Sequence, residues 1–207
     1  LDARLGLYYL ECQETETPPD LEKMDAFLAE AKTPEDYASF GRVALRFGLL
    51  DHAQQSFEKL SSFDSHHYES QLQLALIEQE SGAIQAAMLR LRDLLTQEPE
   101  QVGAYVQLGN ILVMHGQFEH AEELFKHAIS LEQGSWYSYY GFALALAGQE
   151  LFEKAETALA MANKLSPNQG NVINLYHLIQ NAKQEAVMLH GDHSAIEAAS
   201  QDAEASV

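Results

Sequence analysis

A chain of 207 residues with 46% hydrophobic content holds enough apolar material for one ordinary domain or one short solenoid. Its formal net charge of −19 argues against nucleic-acid binding through a basic patch, which needs clustered Lys and Arg, and against attraction to anionic membranes. The same acidic field favours basic partners and keeps a chain in solution.

Cys12 is the single cysteine, so an intrachain disulfide and a cysteine-based zinc cluster are both ruled out. No apolar run approaches the roughly 18 residues of a membrane span, and no signal peptide is visible. These features suit a reducing cytoplasm. The chain opens at Leu1 and not at methionine, so an upstream signal or anchor would instead place it in the periplasm or tether it to a membrane. Leu, Ala, Glu and Gln are abundant and Pro is scarce, which points to an all-helical protein.

Residues 1–33 read as a degenerate helical hairpin. Leu5-Gly6 followed by Tyr9 marks a first helix, and Met24, Leu28 and Ala31 mark the apolar face of a second. Extra residues around Gln13 to Pro18 form a long loop, and Asp20 after Pro18-Pro19 is placed to cap the second helix.

From residue 34 a strict period sets in. Ala53, Ala87, Ala121 and Ala155 are spaced by 34 residues, each followed four positions on by Phe57, Leu91, Phe125 or Leu159. Leu60, Leu94, Ala128 and Ala162 come three later. In the first half of each unit Phe40, Leu74, Leu108 and Phe142 are in register, each followed by a small residue: Gly41, Ala75, Gly109 or Ala143. Tyr37, Tyr105 and Tyr139 also match, with Gln71 as the exception. Gly48, Gly82 and Gly116 recur where one helix turns into the next, and Glu150 takes that place in the fourth unit. Small residues let two helices cross closely, and a glycine at the end of the first helix permits the left-handed conformation that stops it. Pro99 and Pro167 fall near the ends of second helices, where proline discourages continuation.

This pattern resembles the tetratricopeptide repeat family, most clearly from Tyr105 to Leu131, where Leu108-Gly109, Gly116, Ala121, Phe125 and Ala128 all match. The resemblance implies an all-α, right-handed α-solenoid of antiparallel helical hairpins, with repeats at about 34–67, 68–101, 102–135 and 136–169. Val172, Leu175, Ile179, Ala182 and Ala186 then make a C-terminal capping helix over 170–190. The tail 191–207 has four acidic residues and no basic one, which predicts disorder.

Arrays of this family curl so that the first helix of each hairpin lines a concave wall. By that resemblance the wall receives Arg42, Leu45 and Arg46 from the first clear unit, and Leu72, Gln73, Leu76 and Gln79 from the second. Val106, Asn110, Val113 and Met114 come from the third, and Tyr137, Tyr140 and Leu144 from the fourth. Leu72, Leu76, Val106, Val113, Tyr137 and Tyr140 are expected to form an apolar strip that grips a peptide or helix, with Arg42 and Arg46 engaging an acidic group at one end. The carboxylate clamp of the family's co-chaperones is absent, because its positions hold Ala38, Arg42, Gln73, Gly103 and Val106.

No catalytic constellation stands out. His66-His67, His120 with His127, and His190 with His193 lack the spacing and further ligands of a zinc site. The carboxylates, such as Glu122-Glu123 and Glu153 with Glu156, fall on polar helix faces. Trp136 with its neighbouring tyrosines could stack on nucleic-acid bases, but the acidic balance opposes that. The expectation is a non-catalytic module, without cofactor or metal, that binds a protein or peptide as an adaptor, assembly factor or chaperone; homo-oligomerisation is left open. Two alternatives remain. The size and apolar groove look similar to chaperones of bacterial type III secretion translocators or to a scaffold for envelope, pilus or secretion assembly. The chain could also be a regulatory or accessory domain of a larger enzyme.

Overall fold

The computed structural model describes residues 1–65 and 67–185. Every regular element among them is helical. The chain divides into two compact units, the first from Leu1 to Ile111 and the second from Leu112 onward.

The first unit holds α1 (Asp2–Thr15), α2 (Leu21–Glu30), α3 (Pro34–Arg46), α4 (Leu50–Phe63), α5 (Tyr68–Glu80) and α6 (Ile84–Gln97). Helix α7 (Val102–Met114) runs across the division. Helices α3 and α4 pack as one hairpin, α5 and α6 as the next, and α4 contacts α5. Helix α1 packs on α3, and α2 on both α3 and α4, so the N-terminal pair adds to the array.

Local chemistry explains the boundaries. Asp20 caps α2 by accepting from the amides of Glu22 (3.0 Å) and Lys23 (3.4 Å). The loop before it is pinned where the Tyr8 hydroxyl accepts from the Asp20 amide at 2.6 Å. Thr33 opens α3 with a capping box: its hydroxyl accepts from the Asp36 amide (3.2 Å), and the Asp36 carboxylate accepts from the Thr33 and Lys32 amides (both 3.1 Å). Pro34 follows at the first helical position, where its missing N–H costs nothing.

The first core gathers Leu5, Tyr8, Cys12 and Met24 with Phe40, Ala44, Ala53, Phe57, Leu60, Leu74 and Ile77. Cys12 is therefore a packed free thiol. Phe40 and Phe57 are fully buried, each contributing roughly 1.5–3 kcal/mol from burial. Phe57 fits because Gly41 has no side chain: a Cβ there would lie 2.6 Å from the Phe57 Cζ.

Among the described residues the second unit holds α8 (Phe118–Leu131), α9 (Trp136–Gly148), α10 (Phe152–Leu165) and α11 over 170–185. Helix α9 packs against both α8 and α10. Val172, Leu175 and Ile179 of α11 join Ala143, Leu146, Ala155, Ala158, Leu159 and Ala162 in one core. Polar contacts pin α11 to α10: Lys183 bonds Glu156 at 3.1 Å and Glu153 at 3.3 Å, and Gln180 donates to Glu156. Ala186, the end of the expected capping helix at 186–190, the tail 191–207 and His66 lie outside the described residues.

Candidate functional site on the first helices

In the first unit α5 is approached by side chains of α3 and by the start of α7. Arg42 of α3 donates to Glu69 of α5 at 2.6 Å, and a Cβ on Gly103 of α7 would lie 3.5 Å from the Leu72 side chain of α5. Leu72, Gln73, Leu76 and Asn110 are half-buried, so each offers part of its surface. Leu45 packs partly into the first core. Tyr68 stands at the same seam; its hydroxyl oxygen occupies the space a Cβ at position 103 would need, so a side chain there would have to displace the phenol. Burial, with the Glu98 carboxylate nearby, raises the Tyr68 pKa.

Val106 departs from expectation, and two wall arginines have partners inside the chain. Val106 is only 5% exposed, so it supports the wall from within and offers a ligand no surface. Arg42 is already engaged by Glu69 and by the Ser39 hydroxyl (3.2 Å). Arg46 lies over the Tyr9 ring, its guanidinium carbon 5.5 Å from the centroid. Both arginines are exposed, and each already has a neighbour within the chain.

In the second unit the wall is built on α9. Ser135 caps the helix by accepting from the Ser138 amide at 3.3 Å, which places Trp136 and Tyr137 in its first turn. Tyr137 and Tyr140 follow at a three-residue spacing and Leu144 one turn later, so they share a face. Ring centroids lie 5.3 Å apart for Trp136–Tyr137, 6.1 Å for Tyr137–Tyr140 and 6.4 Å for Trp136–Tyr140. Tyr137 is 39% exposed, while Trp136, Tyr140 and Leu144 are half-buried against the second core. Burial raises the Tyr140 pKa, and Tyr137 adds to it, so the phenol keeps its proton as a hydrogen-bond donor. Val113 is half-buried, and Met114, at the end of α7, is 68% exposed.

Sequence reasoning set Trp136 aside, yet it completes the aromatic group. Its position immediately before Tyr137, in the first turn of a wall helix, was the available signal. Among the described residues no group of three or more His, Cys, Asp or Glu is arranged to hold a metal ion. No helix among them is long and apolar enough to cross a membrane.

A first helix lined with apolar and aromatic side chains, joined to its second helix by a left-handed turn and repeated in phase, defines the class. The tetratricopeptide repeat model matches residues 102–134. The fold is that of the all-α, right-handed tetratricopeptide-type solenoids. The thermophilic tetratricopeptide protein TTC0263 of Thermus thermophilus matches with a TM-score of 0.65 at 18% identity, over 87% of this chain and 99% of that one. MamA, residues 41 to end, from Desulfovibrio magneticus RS-1 matches with a TM-score of 0.62 at 19% identity, over 80% of this chain and 93% of that one. At these identities the likeness concerns the fold. Among curated proteins, the BBSome complex member BBS4 of Bos taurus is 26% identical over 142 residues, 69% of this chain. The matched part spans only 27% of that relative's length.

Proposed function

We propose that this chain is a non-catalytic interaction module that holds a partner peptide or helix against its first-helix walls. The fold is in general a protein-interaction scaffold, which supports the class. The observation that carries the reading is the apolar surface on α9 and α5: Tyr137, Tyr140 and Leu144 in one unit, Leu72 and Leu76 in the other, each left partly open. Tyrosine couples a large contact area to a polar hydroxyl, and such residues dominate binding energy where they sit in partly desolvated pockets. Recognition is by shape and apolar contact, with the neutral Tyr140 hydroxyl adding a directed hydrogen bond.

The test is capture of partners by the tagged chain, compared with Leu76→Glu and Tyr140→Glu variants whose helicity is checked by circular dichroism. Loss of the same captured proteins in both folded variants supports the wall as the site. Retention of every one of them moves the site to second helices or loops.

A second reading is a stable subunit of a larger assembly. It is favoured by the relative named as a complex member, of which this chain matches a fraction. Stoichiometric co-elution through size-exclusion chromatography separates it from transient capture.

A further inference from the structure

Aromatic faces carry partial negative charge and attract a cation within about 6 Å of the ring centroid. This chain covers four of its other rings with its own cations. Arg4 lies over Phe27, Lys23 over Tyr8, Arg46 over Tyr9 and Lys126 over Phe142, at 5.8, 5.0, 5.5 and 5.8 Å. All 12 Lys and Arg are among the described residues, and none of them lies over Trp136, Tyr137 or Tyr140. Helix α9 carries no charged side chain of its own. The three rings are thus a clustered, partly open negative face without an internal cation, on a chain of net charge −19.

We propose that this aromatic pad seats an arginine or lysine side chain of a basic, amphipathic partner segment, whose apolar flank lies on Leu144. This rests on the wall reading above and adds the partner's charge to it. Net charge draws a basic segment in from a distance, and the rings then select the cation at close range. The positive end of the α9 dipole opposes a cation only within its first turn. Tyr140 stands beyond that turn, and Ser135 already occupies the Ser138 amide. The pairing of Arg42 with Glu69 points the same way, since that positive charge of the wall already has an acidic partner.

Trp136 is the only tryptophan, so its fluorescence reports the pad directly. The full chain is titrated with a helical peptide of Leu, Ala and Arg, and with the same peptide carrying citrulline for Arg. The Arg peptide is expected to shift Trp136 emission and to bind about tenfold tighter than its uncharged counterpart. A folded Tyr137→Leu/Tyr140→Leu double variant keeps apolar area but removes two ring faces, and it should lose most of that discrimination. Equal affinity of the two peptides, with Trp136 responding, overturns the cation and leaves the apolar wall standing. Undiminished discrimination in the double variant assigns it to diffuse charge and overturns the pad. A silent Trp136, while Leu76→Glu still abolishes partner capture, also overturns the pad; a silent Trp136 with capture intact in every wall variant overturns the wall reading as well.

Discussion

Gly116 and Glu150 stand 34 residues apart in the same left-handed turn, at φ values of 70° and 60°. Each amide bonds the carbonyl three residues back, Val113 and Ala147 respectively, at 3.0 Å. The next amides, Gln117 and Leu151, reach Leu112 and Leu146 at 2.9 Å. The turn therefore persists where glycine is lost, because the helix-ending hydrogen bonds impose it. An L side chain in this region costs roughly 1–2 kcal/mol, and glycine returns about 0.5–1 of that through its freer unfolded chain. Glu150→Gly should therefore stabilise the protein by about 0.5–1 kcal/mol, read as a higher urea midpoint at unchanged slope. Gly116→Ala should lower stability by about 1 kcal/mol.

Gly41 and Phe57 define a second test. With the ring fully buried and a Cβ at position 41 placed 2.6 Å from it, Gly41→Ala must push Phe57 off its site. A cost of about 1–3 kcal/mol is expected from overpacking. The equivalent positions of the next repeat hold Ala75 and Leu91. Combining Gly41→Ala with Phe57→Leu should therefore cost less than the two single changes added together, a coupling that a double-mutant cycle measures.

Arg90 holds α6 to α5 through a fork. Its Nε and one terminal nitrogen donate to the two oxygens of Glu78 at 3.0 and 2.6 Å, and the other donates to Gln71 at 2.7 Å. Both charged side chains are mostly covered, at 29% and 20% exposure. Lysine cannot reproduce the planar fork, so Arg90→Lys should cost about 1 kcal/mol. Arg90→Ala leaves Glu78 without its partner and should cost about 2 kcal/mol. Thermal unfolding of the two variants orders them.

The second unit should show a stability plateau bounded on both sides by named groups. Lys126 (2.5 Å) and then Gln149 (2.7 Å) hold the Glu122 carboxyl below its usual range. That contribution is present above the unfolded-state pKa and is lost as pH falls through the folded one. Glu156, with Glu153, raises the Lys183 pKa above its ordinary value. Its contribution is full below the unfolded-state pKa and disappears as pH rises through the folded one. Glu122→Gln should flatten the acid limb of a stability–pH profile, and Lys183→Met the alkaline limb.

The repeating core was legible in the sequence because each of its positions recurs. Ala53, Ala87, Ala121 and Ala155 are all fully buried, as are Phe57, Leu91 and Phe125. The wall was legible only in part. Val106 shares a helix with exposed Met114, and periodicity alone does not show which of them a neighbour covers. Contacts between neighbouring repeats follow a different spacing. Arg42–Glu69, Glu122–Gln149 and Glu156–Lys183 are each 27 residues apart, and the last two pairs are one 34-residue period from each other. Because the residues at these positions change from repeat to repeat, a search for identical residues at one period passes over them.

That Arg42–Glu69 pair bears directly on partner choice. At 46% and 34% exposure it contributes about 0–1 kcal/mol, so Arg42→Ala should change stability little. In binding it should matter more, because an acidic ligand must displace Glu69 before it reaches the guanidinium. Arg42→Ala in the otherwise unaltered chain should leave the affinity for a peptide ending in acidic residues within about twofold. Glu69→Gln should free the guanidinium and raise that affinity about three- to tenfold, an effect that fades at high salt. Calorimetric titration of the unaltered chain and the two variants with one such peptide tests this. A tenfold loss on Arg42→Ala alone would mean that Arg42 engages acidic ligands despite Glu69, and would restore an acidic partner to that end of the wall.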